Sequence, residues 1–99
     1  MRIIWAPRAL DRIDKAAACI ARDRPAASVR WIEELFARVE LLAKAPAQGR
    51  VVPEIRRQDI REIQYQGYRV MYRVEANKLV ILTVRHSRLH FDDEDLEEG

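Results

Sequence analysis

The spacing of apolar residues along this chain changes character midway. Residues 1–6, MRIIWA, are β-branched and aromatic and predict a short strand. Pro7 follows, preset for the first turn of a helix. Between Arg8 and Arg22, Leu10, Ile13, Ala17 and Ile20 recur every three or four residues, which makes one stripe on a helix. Pro25 ends that helix or opens the next. From Ala26 to Ala45 the period is again helical. Val29, Ile32, Phe36, Val39 and Ala43 form one stripe, and Trp31, Leu35 and Leu42 widen it enough to face both a sheet and a neighbouring helix. Pro46 stops the run, and Gly49 stands in a loop that continues through Pro53 to about Asp59.

Beyond that loop the period falls to two. Ile60–Tyr65 places Arg61, Ile63 and Tyr65 on one face, and Ile60, Glu62 and Gln64 on the other. Gln66-Gly67 reads as a tight hairpin connection. In the next strand Tyr68, Val70, Tyr72 and Val74 share a face, with Arg69, Met71 and Arg73 opposite. Ala76-Asn77 makes a second turn. Leu79–Val84 is apolar on both faces, the mark of a central strand covered on both sides. The order β-α-α-β-β-β predicts an α+β two-layer fold, in which a helical hairpin packs on one face of an antiparallel sheet. The first strand is expected at an edge or beside the last strand. The opposite face is expected to hold Arg69 and its neighbours outward.

The length of 99 residues restricts this pattern to one domain with a modest core. It is assigned to residues 1–91, without internal repeat or linker. No apolar run approaches the roughly 20 residues that a membrane span needs. The N-terminus lacks a long apolar region and a cleavage site, so neither a membrane partner nor a secretion signal is expected. Cys19 is the single cysteine. It cannot form an internal disulfide, which suits a cytoplasmic location, and in the helix it is expected to be a small buried apolar residue.

Charge is distributed unevenly. Residues 1–91 hold all 18 Lys and Arg against 10 acids, a formal +8, while DDEDLEEG at 92–99 holds six acids and no base. A basic body points to an anionic partner. For the acidic end two readings stand: a solvated, disordered terminus, or a segment that folds back over the basic face as a weak decoy.

The bases include a series of arginines between Gly49 and Arg88: Arg50, Arg56, Arg57, Arg61, Arg69, Arg73, Arg85 and Arg88. A guanidinium is a planar, permanently charged fork that suits phosphate or carboxylate. Arg61, Arg69, Arg73 and Arg88 are therefore candidates for binding a target or a phosphate. Each has a plainer reading. Arg69 and Arg73 can be solvated charges that discourage edge pairing. Arg61 can be the structural partner of Glu62, Glu54 or Asp59. Glu54 can be a base or the loop's anchor to Arg61. His86 can do acid–base work near neutral pH or simply pack at the strand end. Trp5 and Trp31 sit in apolar patterns and are read as core. His86 and His90, with one distant cysteine, make no ligand set, so no metal is expected and no cofactor is called for.

Taken in order, several short motifs resemble the RelE/ParE superfamily, the toxin halves of bacterial type II toxin–antitoxin modules. They are Trp5-Ala6-Pro7, a Pro-Ala-Ala start to the second helix, Pro46, Gly49-Arg50, Pro53-Glu54, Ile60-Arg61-Glu62, Tyr68-Arg69-Val70-Met71-Tyr72-Arg73 and Val84-Arg85-His86. The resemblance covers almost the whole chain to about residue 91. It implies an antitoxin that wraps the toxin and represses their shared operon. RelE-like members cut messenger RNA in the ribosome, whereas ParE-like members act on DNA gyrase without nuclease chemistry. Pro53-Glu54 and Ile60-Arg61-Glu62 look more like the ParE side.

Cleavage by 2′-OH attack requires a proton acceptor, a donor to the leaving oxygen and positive charge at the phosphorane. The resemblance places Arg69 at a phosphate-stabilising position and Arg85 and His86 at further catalytic ones, should the chain be a nuclease. Phe91 stands roughly where a catalytic Tyr is expected, and it has no hydroxyl. The leading expectation is thus a ParE-like inhibitor of DNA gyrase neutralised by a cognate antitoxin. The alternative is a RelE-like ribosome-dependent mRNA endoribonuclease, and a third reading is a general basic nucleic-acid binder.

Overall fold

The computed structural model describes residues 1–87. Arg88, His90, Phe91 and the acidic segment 92–99 lie outside the described residues. Strand β1 (Arg2–Trp5) leads into helix α1 (Pro7–Ala21) and helix α2 (Pro25–Lys44). A 3-10 turn at Pro46–Gln48 then precedes β2 (Arg50–Val51), β3 (Ile60–Tyr65), β4 (Tyr68–Val74) and β5 (Lys78–His86). Pro7 and Pro25 each open a helix, where their missing N–H groups cost no hydrogen bond.

The five strands lie in the order β1-β5-β4-β3-β2. β1 pairs parallel with β5, Ile3 opposite Leu79, and the other pairings are antiparallel. The first strand therefore takes both expected places, at the edge and beside the last strand. The two-residue β2 was not expected. It falls in the stretch read as loop, too short to show a period, and exists through its pairing of Arg50 with Glu62 and Val51 with Arg61. The β3–β4 connection is the predicted hairpin. Gln66 and Gly67 have φ of 46° and 83°, as a two-residue turn with left-handed central residues requires.

The helical hairpin covers one face of the sheet. α1 buries Ala9, Ile13, Ala16 and Ala17, and α2 buries Trp31, Leu35, Val39, Leu42 and Ala43. They meet Ile63, Tyr65, Val70, Tyr72, Leu79, Ile81 and Val84. Small alanines on α1 allow close approach, and the Ser28 hydroxyl of α2 donates to the Ala17 carbonyl at 2.7 Å, tying the helices together near their turn. The true centre of the α2 stripe is the Trp31–Leu35–Val39 series. Val29 and Phe36 of α2 and Leu10 of α1, read as core positions, are exposed. Cys19 is exposed, contrary to expectation, because the buried stripe of α1 passes through Ala16 and Ala17 instead.

The second face corrects a larger expectation. It is not an open, arginine-bearing surface. The segment after β2 folds over it, and Val52 and Ile55 pack with Ile60, Met71, Val80, Leu82 and Ile4 in a second, smaller core. This covering explains why Leu79–Val84 is buried on both sides.

Candidate functional site

Beside that second core lies a group of charges. Arg69, on β4, is only 8% exposed. Its Nε donates to Glu62 Oε1 at 2.6 Å, and its two terminal nitrogens donate to the two Glu54 oxygens, each at 2.8 Å. The fully buried Glu62 carboxylate also accepts from Arg50 Nε at 2.6 Å. Strand pairing builds this arrangement, since Arg69 faces Gln64 and Arg50 faces Glu62 across adjacent ladders. Glu54 arrives from the loop, so its bidentate bond pins the loop to the sheet. The same bond holds the Glu54 carboxyl at about 2, against an ordinary 4.5, and raises the already high pKa of Arg69.

A second polar clasp lies nearby. The Tyr72 hydroxyl donates to the Pro46 carbonyl at 2.7 Å and accepts from the Gly49 N–H at 3.0 Å. Gly49 is needed for space: a Cβ there would meet the Tyr72 oxygen at 2.2 Å and the Glu62 carbonyl at 2.7 Å. Arg61 donates to the Gly49 carbonyl at 2.9 Å and to Gln58 at 3.3 Å. The reading of Glu54 as an anchor therefore holds with a different partner, Arg69 in place of Arg61. Alternation assigns faces but does not show which arginine a loop carboxylate will reach. Arg73 donates twice to Glu75, at 2.9 and 2.7 Å. Trp31 is buried, and Trp5 packs edge-on against Phe36, as expected of core residues.

A separate cleft opens where β5 leaves the sheet beside α1. It measures about 440 Å³ and is lined by Arg12, Lys15, Ala16, Cys19, Tyr68, Val84, Arg85 and His86. Tyr68 and His86 are cross-strand partners with ring centroids 5.4 Å apart and near-perpendicular planes. Arg12 also donates to Thr83 of β5. The structure thus brings Arg85 and His86 together. Arg69 is the Cα partner of Arg85 across the ladder, yet it is not among the residues lining this cleft. Arg88 lies outside the described residues. Sequence reasoning missed Arg12, Lys15 and Tyr68. Tyr68 was recoverable from the hairpin register, which sets it opposite the strand end. Arg12 and Lys15 come from a helix about 70 residues earlier and left no local signal.

Among the described residues, no group of three or more His, Cys, Asp and Glu side chains is placed to hold a metal ion, and no helix is long and apolar enough to cross a membrane. A helical hairpin on a five-stranded, mostly antiparallel sheet, with a loop latched over the far face, defines a small two-layer α+β class. A chain from the chromosomal ParDE toxin–antitoxin system of P. aeruginosa shares this fold, with a TM-score of 0.73 and 17% identity, covering 87% of this chain and 95% of that one. A protein of Sinorhizobium fredii (strain NBRC 101917 / NGR234), Y4kP, a toxin by name, is 37% identical over 88 residues, 87% of this chain and 88% of its own length. The family described as the ParE toxin of type II toxin–antitoxin system, parDE, matches residues 3–90. The chain belongs to this ParE toxin family.

Proposed function

We propose that this ParE-family toxin acts by binding its target, DNA gyrase, rather than by cutting RNA, and that it works in the cytoplasm under the control of a cognate antitoxin. The state of Arg69 carries the reading. A phosphate stabiliser must present its fork to the substrate, but this fork is closed by Glu54 and its Nε by Glu62. Two carboxylates around the guanidinium repel an incoming phosphate and cancel the charge a phosphorane needs. Arg69 is proposed as the latch of the loop. Target contacts are assigned instead to other basic side chains, among them the partly exposed Arg61 and Arg73, the latter paired with Glu75.

The antitoxin is proposed to be an acidic segment that orders on binding. The exposed apolar side chains Leu10, Val29 and Phe36 and the basic body supply complementary surface.

One observation favours the nuclease alternative. Arg85, His86, Tyr68, Lys15 and Arg12 share a cleft, and this set includes a proton carrier and phosphate-binding cations. Parallel assays decide between the two. Purified toxin is expected to inhibit supercoiling by gyrase while leaving ribosome-bound message intact. Site-specific message cleavage that is abolished by His86→Ala reverses the assignment.

A further inference from the structure

Another cleft, of about 350 Å³, lies between the turn joining the two helices and the β3–β4 hairpin. Arg24, Ala27, Arg30, Trp31, Glu34 and Gln66 are among the residues that line it. Arg24 and Arg30 are exposed, and neither side chain forms a hydrogen bond or ion pair with a described residue. α2 begins here without a side-chain cap and without an acid in its first turn. Pro25 has no N–H, and the first free donors, the N–H groups of Ala26 and Ala27, have no acceptor among the described residues. Arg24 is the N-cap residue, so its cation works against the positive end of the helix dipole. Asp23, the acid of the turn, is exposed and does not line the cleft. Trp31 is 4% exposed. Its indole N–H has no acceptor among the described residues but is not sealed from solvent, so it opens into the cleft that the ring lines. Glu34 is the acid among the described lining residues, and its Oε2 accepts from Gln66 Nε2 at 3.2 Å.

A helix end, two guanidiniums and an indole thus offer donors to one cleft. A carboxylate presents its oxygens in one plane, whereas a terminal phosphate presents them as a tetrahedron and suits donors that arrive from several directions. We propose that this cleft binds a phosphate monoester, with the phosphate on Arg24, Arg30 and the N-terminus of α2 and the organic part toward Trp31, Glu34 and Gln66. The Glu34 carboxylate repels a second anion at its end of the cleft and accepts from a hydroxyl or amino group. The ligand class is therefore a phosphorylated molecule that carries hydrogen-bond donors, such as a nucleoside monophosphate. The volume falls at the lower end of the range for small-molecule sites, about 300–1,000 Å³. The site is independent of whether the target is gyrase or message.

The test titrates the isotope-labelled full chain, at constant ionic strength, with adenosine monophosphate, inorganic phosphate and adenosine. Adenosine monophosphate is expected to move the amide signals of Ala26 and Ala27 and the Trp31 indole signal saturably. The indole signal of Trp5, packed against Phe36, is expected to stay still. Inorganic phosphate is expected to move the Ala26 and Ala27 signals with an affinity about tenfold weaker, and adenosine to cause no saturable shift. Replacing both arginines, R24Q with R30Q, is expected to weaken binding of adenosine monophosphate by about tenfold or more. The urea midpoint is expected to hold, because both side chains are exposed and unpaired. Signals that adenosine monophosphate leaves still, or that respond equally in the double variant, overturn the proposal. Adenosine that binds as tightly as its monophosphate overturns the role of the phosphate, and inorganic phosphate that binds as tightly overturns that of the organic part.

Discussion

The two faces of the sheet differ in how they are closed. On one, two helices bury a broad apolar surface around Trp31, Leu35, Tyr72 and Ile81, and its polar groups are tied back to the main chain, such as the Tyr65 hydroxyl donating to the Trp31 carbonyl at 2.7 Å. On the other, a loop buries a handful of apolar side chains and then relies on Arg69, Glu62, Glu54 and Arg50. The helical face is non-directional, and many contacts share its energy. The loop face is directional, since a few bonds hold it and each lost partner leaves a charge stranded. A buried ion pair adds little over apolar packing, but losing half of one is expensive.

The sharpest test of this contrast is Glu62→Ala. It leaves the buried Arg69 Nε without its acceptor beside a cavity, with Glu54 still holding the fork, and is expected to destabilise by about 3 kcal/mol. Replacing Arg69 and Glu62 together, with Met and Leu, is expected to recover most of that loss in urea unfolding. A double variant as unstable as the single one would mean that the charges themselves, and not their pairing, hold this face. Leu35→Ala in the helical core is expected to cost about 2–5 kcal/mol through lost burial and a cavity, with no comparable rescue by a second change. A loss below about 1 kcal/mol by thermal unfolding would show that the helical face repacks freely.

Tyr72→Phe acts between the two regions. It leaves the Gly49 N–H and the Pro46 carbonyl without their shared partner. A loss of about 1–3 kcal/mol is expected, together with faster hydrogen exchange at Gly49. The smallest effect is that of Glu54→Gln. The Glu54 carboxyl sits at about 2 in the fold against an ordinary 4.5. A depressed acid stabilises the folded state fully above its ordinary value and loses that contribution as pH falls through the folded one. The wild type is therefore expected to weaken between pH 4.5 and 2, and the variant to show a flatter profile over the same window. The Glu54 side chain is 40% exposed, so solvent screening limits the difference at neutral pH to about 1 kcal/mol or less. Urea midpoints measured across that window provide the comparison.

Periodicity carried the architecture. Three- and four-residue spacing marked both helices, alternation marked β3 and β4, and the unbroken run Leu79–Val84 marked the central strand. These readings succeed because each depends on neighbours within a few residues, which a one-dimensional pattern records. The same logic fails at Cys19 and Val29, where the stripe of a helix is legible but its angular centre is set by what it packs against.

The arginines show where the sequence stops. By itself it determined a basic α+β chain with two helices backing a sheet and cations distributed along the strands. Only the tertiary structure decided that Arg69 is enclosed while Arg85 lines a cleft, and that Arg12 and Lys15 from α1 join His86 and Tyr68. The physical reason is range. Apolar burial is cumulative and local in its pattern, whereas an ion pair is a contact between two particular groups, here 15 residues apart for Arg69 and Glu54. No periodicity connects them before the loop closes over the sheet.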